Sequence, residues 1–109
     1  MSQVVIANGS VHLAGQIPDI VNASISEQTT NILNRIDTLL AAAGVDKTWL
    51  VATNIWLTDP KHFGEFNAVW DAWVPEGHAP TCVCVQSLLL KPAGCDVEIA
   101  VTALARNES

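Results

Sequence analysis

Cations are scarce in this chain. Five Lys plus Arg stand against eleven Asp plus Glu in 109 residues, a formal net charge of -6 with a pI near 4.7. A nucleic-acid groove needs Lys and Arg gathered on one face, so the composition argues against a nucleic-acid partner. Long apolar runs are also missing: none approaches the roughly 20 residues a membrane helix needs, so no membrane partner is expected. The opening MSQVVIANGS lacks a basic segment followed by an apolar one, the mark of a secretory signal. Three cysteines, an odd count with two in one strand, make no disulfide framework, and a reducing cytoplasm is the expected location. No Gly-rich phosphate loop, Ser-His-Asp set or pair of catalytic carboxylates stands out. Nothing reads as a linker, a repeat or a low-complexity segment.

Apolar residues, by contrast, are plentiful. They make up 50% of the chain, with a mean hydropathy of +0.30, high for a small soluble monomer. The length fits one domain, residues 1–109. Surplus apolar surface in such a chain usually ends in a subunit interface.

Residues 4–7 and 11–14 read as strands around Asn8-Gly9, a pair suited to the positive φ of a type I′ turn. Ser24 to Glu27 has capping-box spacing. Ile25, Thr29, Ile32, Leu33, Ile36, Leu39, Leu40 and Ala43 then form an amphipathic helical stripe that Gly44 ends. Residues 50–57 read as a strand with Val51, Thr53, Ile55 and Leu57 on one face and Leu50, Ala52, Asn54 and Trp56 on the other. Asp59-Pro60 opens a second helix, with Asp as N-cap and Pro at its first position. Phe63, Phe66, Trp70 and Trp73 form its buried stripe, a core feature rather than a stacking platform. A strand over residues 81–88, a turn at Lys91-Pro92-Ala93-Gly94 and a strand over residues 97–104 complete the chain. The order β-β-α-β-α-β-β is most economically an α+β fold with two helices on one face of a mixed sheet. In the last strand Val97, Ile99, Val101 and Ala103 suit the helix side. Glu98, Ala100, Thr102 and Leu104 make the other face mostly apolar too, and another subunit is the natural cover.

The stretch HAPTCVCVQS carries Cys82 and Cys84 on one face of a strand that otherwise looks buried. The thiols read as small core residues, as a nucleophile pair needing a partner such as His12, or as zinc ligands with His12. The C-x-C spacing lacks the usual zinc turn, so no metal is expected. His62 reads as a solvated helix residue, His78 as a loop residue and Cys95 as structural. Glu98 stands in an otherwise apolar face, where an unpaired charge is costly. That favours a functional role over an interface hydrogen bond.

Three segments carry a family resemblance that covers nearly the whole chain. SQVVIANGSVHLAGQIP, FNAVWDAW and APTCVCVQSLLLKPAGCDVEIAVTALA resemble the opening hairpin, second helix and signature strand pair of the Rid family, also called YjgF or endoribonuclease L-PSP. The resemblance implies a chorismate-mutase-like α+β fold, a homotrimer whose sheets line a central barrel, and three small-molecule clefts between subunits. It implies hydrolysis of reactive enamines and imines of the 2-aminoacrylate type to 2-keto acids and ammonia, with no cofactor. Carried over by position, the family's turn Gly is Gly15, its Asn is Asn67, its Cys is Cys84 and its water-handling Glu is Glu98. Glu98 and Cys84 are thus the catalytic candidates. Gly15, Asn67, Cys82, Ala14 and His12 are the substrate-binding candidates. Three positions depart from the pattern. Cys82 stands where the family has an Arg that holds a carboxylate, Met1 where it has a Tyr (the chain has no tyrosine), and Ala14 where it has a Ser. A thiol cannot replace a bidentate Arg. A neutral or aromatic imine therefore fits better than a carboxylate-bearing one. The alternative is a non-catalytic ligand-binding or regulatory trimer, with a ribonuclease third because of the acidity.

Overall fold

The computed structural model describes residues 1–90 and 93–106. Five strands and two helices follow in order: β1 (Val4–Ala7), β2 (Ser10–Leu13), α1 (Ile25–Ala42), β3 (Leu50–Leu57), α2 (Phe63–Trp73), β4 (Thr81–Gln86) and β5 (Val97–Leu104). The strands form one mixed sheet in the order β1-β2-β5-β3-β4. Its β3–β4 pair is parallel and the others are antiparallel.

Local chemistry accounts for most boundaries. Asn8 and Gly9 have φ of 51° and 78°, the two positive values that a type I′ hairpin requires. The Ser24 hydroxyl accepts from the Glu27 amide, and the Glu27 side chain accepts from the Ser24 amide, so the capping box is complete. At the other end of α1, Gly44 adopts φ 81°. Its amide donates to Ala41 O and that of Val45 to Leu40 O, a Schellman closure. Asp59 caps a 3-10 turn, Pro60–His62, through the Lys61 amide. The α-helix proper therefore starts three residues later than the Asp-Pro pair predicts.

Both helices cover one sheet face, with the core between them. From α1 come Ile25, Thr29, Ile32, Leu33, Ile36 and Leu40; from α2, Phe66 and Trp70; from the sheet, Val11, Leu13, Ile55, Leu57, Val97, Ile99, Val101 and Ala103. β5 alternates as its sequence predicts. Glu98, Ala100 and Thr102 are half-buried on the far face and Leu104 is exposed.

Three expectations need correction. First, the pairing of β3 with β5 slips between Leu50 and Ala52, so Val51 is an extra residue in a bulge. Leu50 is consequently buried and Val51 is 45% exposed, the reverse of strict alternation. Second, β4 is an edge strand, mostly exposed, and ends at Gln86. It is not a core strand reaching residue 88. Third, Phe63 is 48% exposed rather than part of the buried stripe. Of the expected turn at residues 91–94, Lys91 and Pro92 lie outside the described residues.

Gln28 ties α1 to the start of β5. It is fully buried; its amide nitrogen donates to Ala23 O at 3.0 Å, and its oxygen accepts from the Asp96 amide at 2.8 Å. Thr58 Oγ1 reaches the same Asp96 side chain at 2.7 Å. Removing one partner of a buried hydrogen bond strands the other. Gln28→Ala is therefore expected to lower unfolding free energy by about 2–4 kcal/mol, counting the lost hydrogen bonds and the cavity. A urea titration reads the shift, and Gln28→Glu should recover little because Asp96 already presents a carboxylate.

Candidate functional site

The turn after β2 is held by Gln16. Its backbone exchanges two hydrogen bonds with Ile99, Gln16 N to Ile99 O at 2.8 Å and Ile99 N to Gln16 O at 3.0 Å. Its side chain is 2% exposed. The amide donates to Ala14 O at 2.9 Å and Gln3 Oε1 at 2.8 Å, and its oxygen accepts from Arg35 Nε at 3.3 Å. Arg35 also pairs with Asp19 at 3.3 Å. With every polar atom of Gln16 satisfied, the Ala14–Gly15 turn is fixed against β5.

Gly15 then lies directly against Glu98. A methyl group at residue 15 would overlap Glu98 Oε2 and stand 3.1 Å from the carboxyl carbon. Close approach, not backbone dihedral, is what demands glycine here. Trp56 and Val85 continue the Glu98 row across the open face, since Trp56 pairs with Glu98 on one side and Val85 on the other. Trp56, Ser87, Leu88, Leu89, Leu90 and Glu98 line a recess of about 440 Å³. Leu88 and Leu90 are 89% and 103% exposed. The only ion pair among the described residues is Arg35 with Asp19, so no such cation sits on Glu98.

Cys82 and Cys84 share a face, as expected, but it is not the face of Glu98. They pair with Thr53 and Ile55, both buried under the helices. Cys84 lines a second recess of about 240 Å³ with Leu57, Pro60, Phe63, Val85 and Gln86. Asn67 lies one helical turn beyond Phe63 on the same side of α2 and donates to Asp71 at 3.2 Å. Burial raises the Cys82 thiol above its usual range, and nearby Cys84 raises it further; burial raises Cys84 too. Cys82 is nonetheless exposed and Cys84 half-buried in the single chain.

The candidates thus fall into two groups. Glu98 lines one recess, with Gly15 against its carboxyl group and Ala14 next in the turn; Cys84 and Phe63 line the other, with Cys82 two residues away on β4 and Asn67 one turn along α2. β3 lies between the groups: two strand spacings, about 10 Å, separate the backbones of β4 and β5, and the side chains leave opposite faces. His12 shares the open face but pairs with Thr102, four residues and about 13 Å along β5 from Glu98. No group of three or more potential metal ligands occurs among the described residues. Cys95 is buried, with its thiol 3.9 Å from Pro18 O. Sequence reasoning missed Gln16, Phe63 and the leucine run. The Gly-Gln pair after β2 was the available signal for Gln16.

A five-stranded mixed sheet with both helices on one face and a single acidic residue on the strands of the other makes this a small α+β domain. The endoribonuclease L-PSP family model matches residues 1–105, and the chain belongs to that family, whose members include the YjgF and Rid proteins. It is 39% identical over 102 residues to the RutC family protein YoaB of Escherichia coli K12, covering 94% of this chain and 88% of that one. It is 34% identical over 113 residues to the Saccharomyces cerevisiae protein MMF1, named as mitochondrial, covering 97% and 75% of the two chains. Among solved structures, the YjgF family member NMB1025 from Neisseria meningitidis superposes with a TM-score of 0.93 at 39% identity, over 99% of this chain and 89% of the other. No helix among the described residues is long and apolar enough to cross a membrane.

The contact at Gly15 generates a specific expectation. The obstructing atom is the end of a flexible side chain, so Gly15→Ala should cost only about 1 kcal/mol while driving the Glu98 carboxylate off the turn. A crystal structure of the variant should show Glu98 in a new rotamer over an unchanged backbone. Glu98 left in place, with the turn displaced instead, would contradict this reading.

Proposed function

We propose that this protein hydrolyses reactive imines and enamines in clefts formed between copies of the chain, three to an assembly. The observation that carries the proposal is Glu98. It is an acidic side chain held against a glycine turn, without an ion-pair partner among the described residues, on a face otherwise lined by Trp56 and leucines. A structural salt bridge would leave it paired, and burial without use would be costly. The family membership supplies the rest of the reading.

In the reaction Glu98 accepts a proton from water as the water oxygen bonds to the imine carbon. That proton passes on to the imine nitrogen, giving a neutral carbinolamine. The carbinolamine hydroxyl then gives its proton to Glu98, which passes it to the nitrogen as the C–N bond breaks, releasing ammonia, leaving a carbonyl product and restoring the carboxylate. An enamine first takes a proton at carbon to become the imine. No redox partner or metal is needed, and the steps are general acid–base catalysis.

Two features support an assembled cleft. The Glu98 and Cys84 recesses face away from each other within one chain, so a small ligand touching both draws them from neighbouring copies. The open sheet face also leaves Val5, Val83, Val85 and Leu104 each more than 40% exposed, a patch that a soluble protein normally covers. A cytoplasmic location fits the free thiols. RNA cleavage fits less well, because a net charge of -6 opposes a polyanion.

Glu98→Gln keeps shape and removes the base. With imines generated in situ and ammonia release as the readout, the variant is expected to lose about 100-fold or more in rate while its assembly mass stays that of a trimer. Activity within a few-fold of wild type would overturn the hydrolytic role. A non-catalytic binding protein would then be the better reading.

A further inference from the structure

The geometry points to an uncharged ligand with a hydrocarbon or aromatic group as the occupant of this cleft, and against a carboxylate-bearing one. This rests on the cleft reading above and adds the chemical class of its ligand. It comes from what lines the two recesses. On the Glu98 side the walls are Trp56, Ser87 and Leu88 to Leu90. On the Cys84 side they are Leu57, Pro60, Phe63, Val85 and Gln86. Neither recess has an Arg or Lys in its lining, so a cleft built from both is free of cations among the described residues.

Three of the four described Lys and Arg side chains are engaged elsewhere. Arg35 hydrogen-bonds Gln16 and pairs with Asp19. Lys47 lies over the Trp73 ring at 5.0 Å and Arg106 over Trp49 at 6.0 Å. Lys61, next to Pro60, is exposed and lines neither recess. A carboxylate entering the cleft would meet the Glu98 carboxyl group, the Cys84 thiol, the uncharged Ser87 and Gln86, and otherwise apolar side chains. Desolvating an anion beside an acidic group with no counter-charge opposes binding. An apolar group meets the reverse situation. Phe63, Leu88 and Leu90 are exposed in the single chain, and covering them is favourable. The wider recess, about 440 Å³, alone falls within the roughly 300–1,000 Å³ of small-ligand sites.

Benzamide and benzoate form a suitable probe pair: nearly the same shape, one neutral and one anionic. Binding to the full-length assembled protein is followed by calorimetry and by quenching of Trp56 fluorescence, with Trp56→Phe as the control. Benzamide is expected to bind at least about tenfold more tightly than benzoate. Phe63→Asp should weaken benzamide, and Cys82→Arg should narrow or reverse the preference. Benzoate binding as tightly as benzamide, or neither probe reaching the Trp56 site at millimolar concentration, would overturn the assignment. The comparison needs no turnover, so it separates from the hydrolysis test. Loss of the Glu98→Gln effect removes the reaction and leaves the ligand class standing, whereas a benzoate preference removes the ligand class and leaves the reaction.

Discussion

Two backbone hydrogen bonds of 2.8 and 3.0 Å join Gln16 to Ile99, and the candidate site depends on them. They pull the loop after β2 onto β5 one residue beyond Glu98. The Gln16 side chain then closes the turn on itself through Ala14 O and braces it against Gln3 and Arg35. Gly15 has no freedom to move away from the carboxylate, and a side chain in its place would push the carboxylate aside. Pre-organisation of this kind is inexpensive because the bracing amide is itself buried and satisfied. It leaves Glu98 in a recess, held by a backbone turn rather than by a counter-ion among the described residues.

The sheet has two different faces, and the difference organises the molecule. Under the helices lies a conventional core. On the other side the strands present valines, Trp56, a few neutral polar residues and one acid, with the Leu88–Leu90 run beyond β4 beside them. The same alternation in β5 that buries Ile99 and Val101 turns Glu98, half-buried, to the other face. One strand thus carries both halves of the account: its odd residues hold the core, and its even ones form the face proposed to meet a neighbour or a ligand.

Much of this was legible in the residues themselves. Asn8-Gly9, the Ser24 capping box, Gly44 and the alternation of β5 each specify one local geometry, and the structure adopts it. The exposed character of β4 was not legible. TCVCV reads identically whether its apolar face meets a core or a neighbouring chain, because both remove it from water. Phe63 was misread for the same reason: helical spacing puts it in line with Phe66 and Trp70, yet its ring ends in a surface recess. The Val51 bulge left no turn residue to announce it. Gln28 and Gln16 looked like ordinary polar positions, since nothing in a linear sequence states that a polar group will be buried with all its partners supplied. Glu98 could be singled out because a lone acid in an apolar strand violates the pattern. That its partner residues would face away from it depends on sheet order, which the sequence does not print.

The central claim is that the Glu98 and Phe63–Cys84 halves of each cleft come from different copies of the chain. Subunit mixing tests it. Glu98→Gln and Phe63→Asp are each expected to be inactive on an imine substrate. Co-refolded in equal amounts, they should regain about one quarter of wild-type activity, since random mixing in a closed ring leaves that fraction of clefts with both halves intact. If the halves belonged to the same chain, every cleft would carry one lesion. The mixture would stay at the level of the separate variants, and the account would be contradicted.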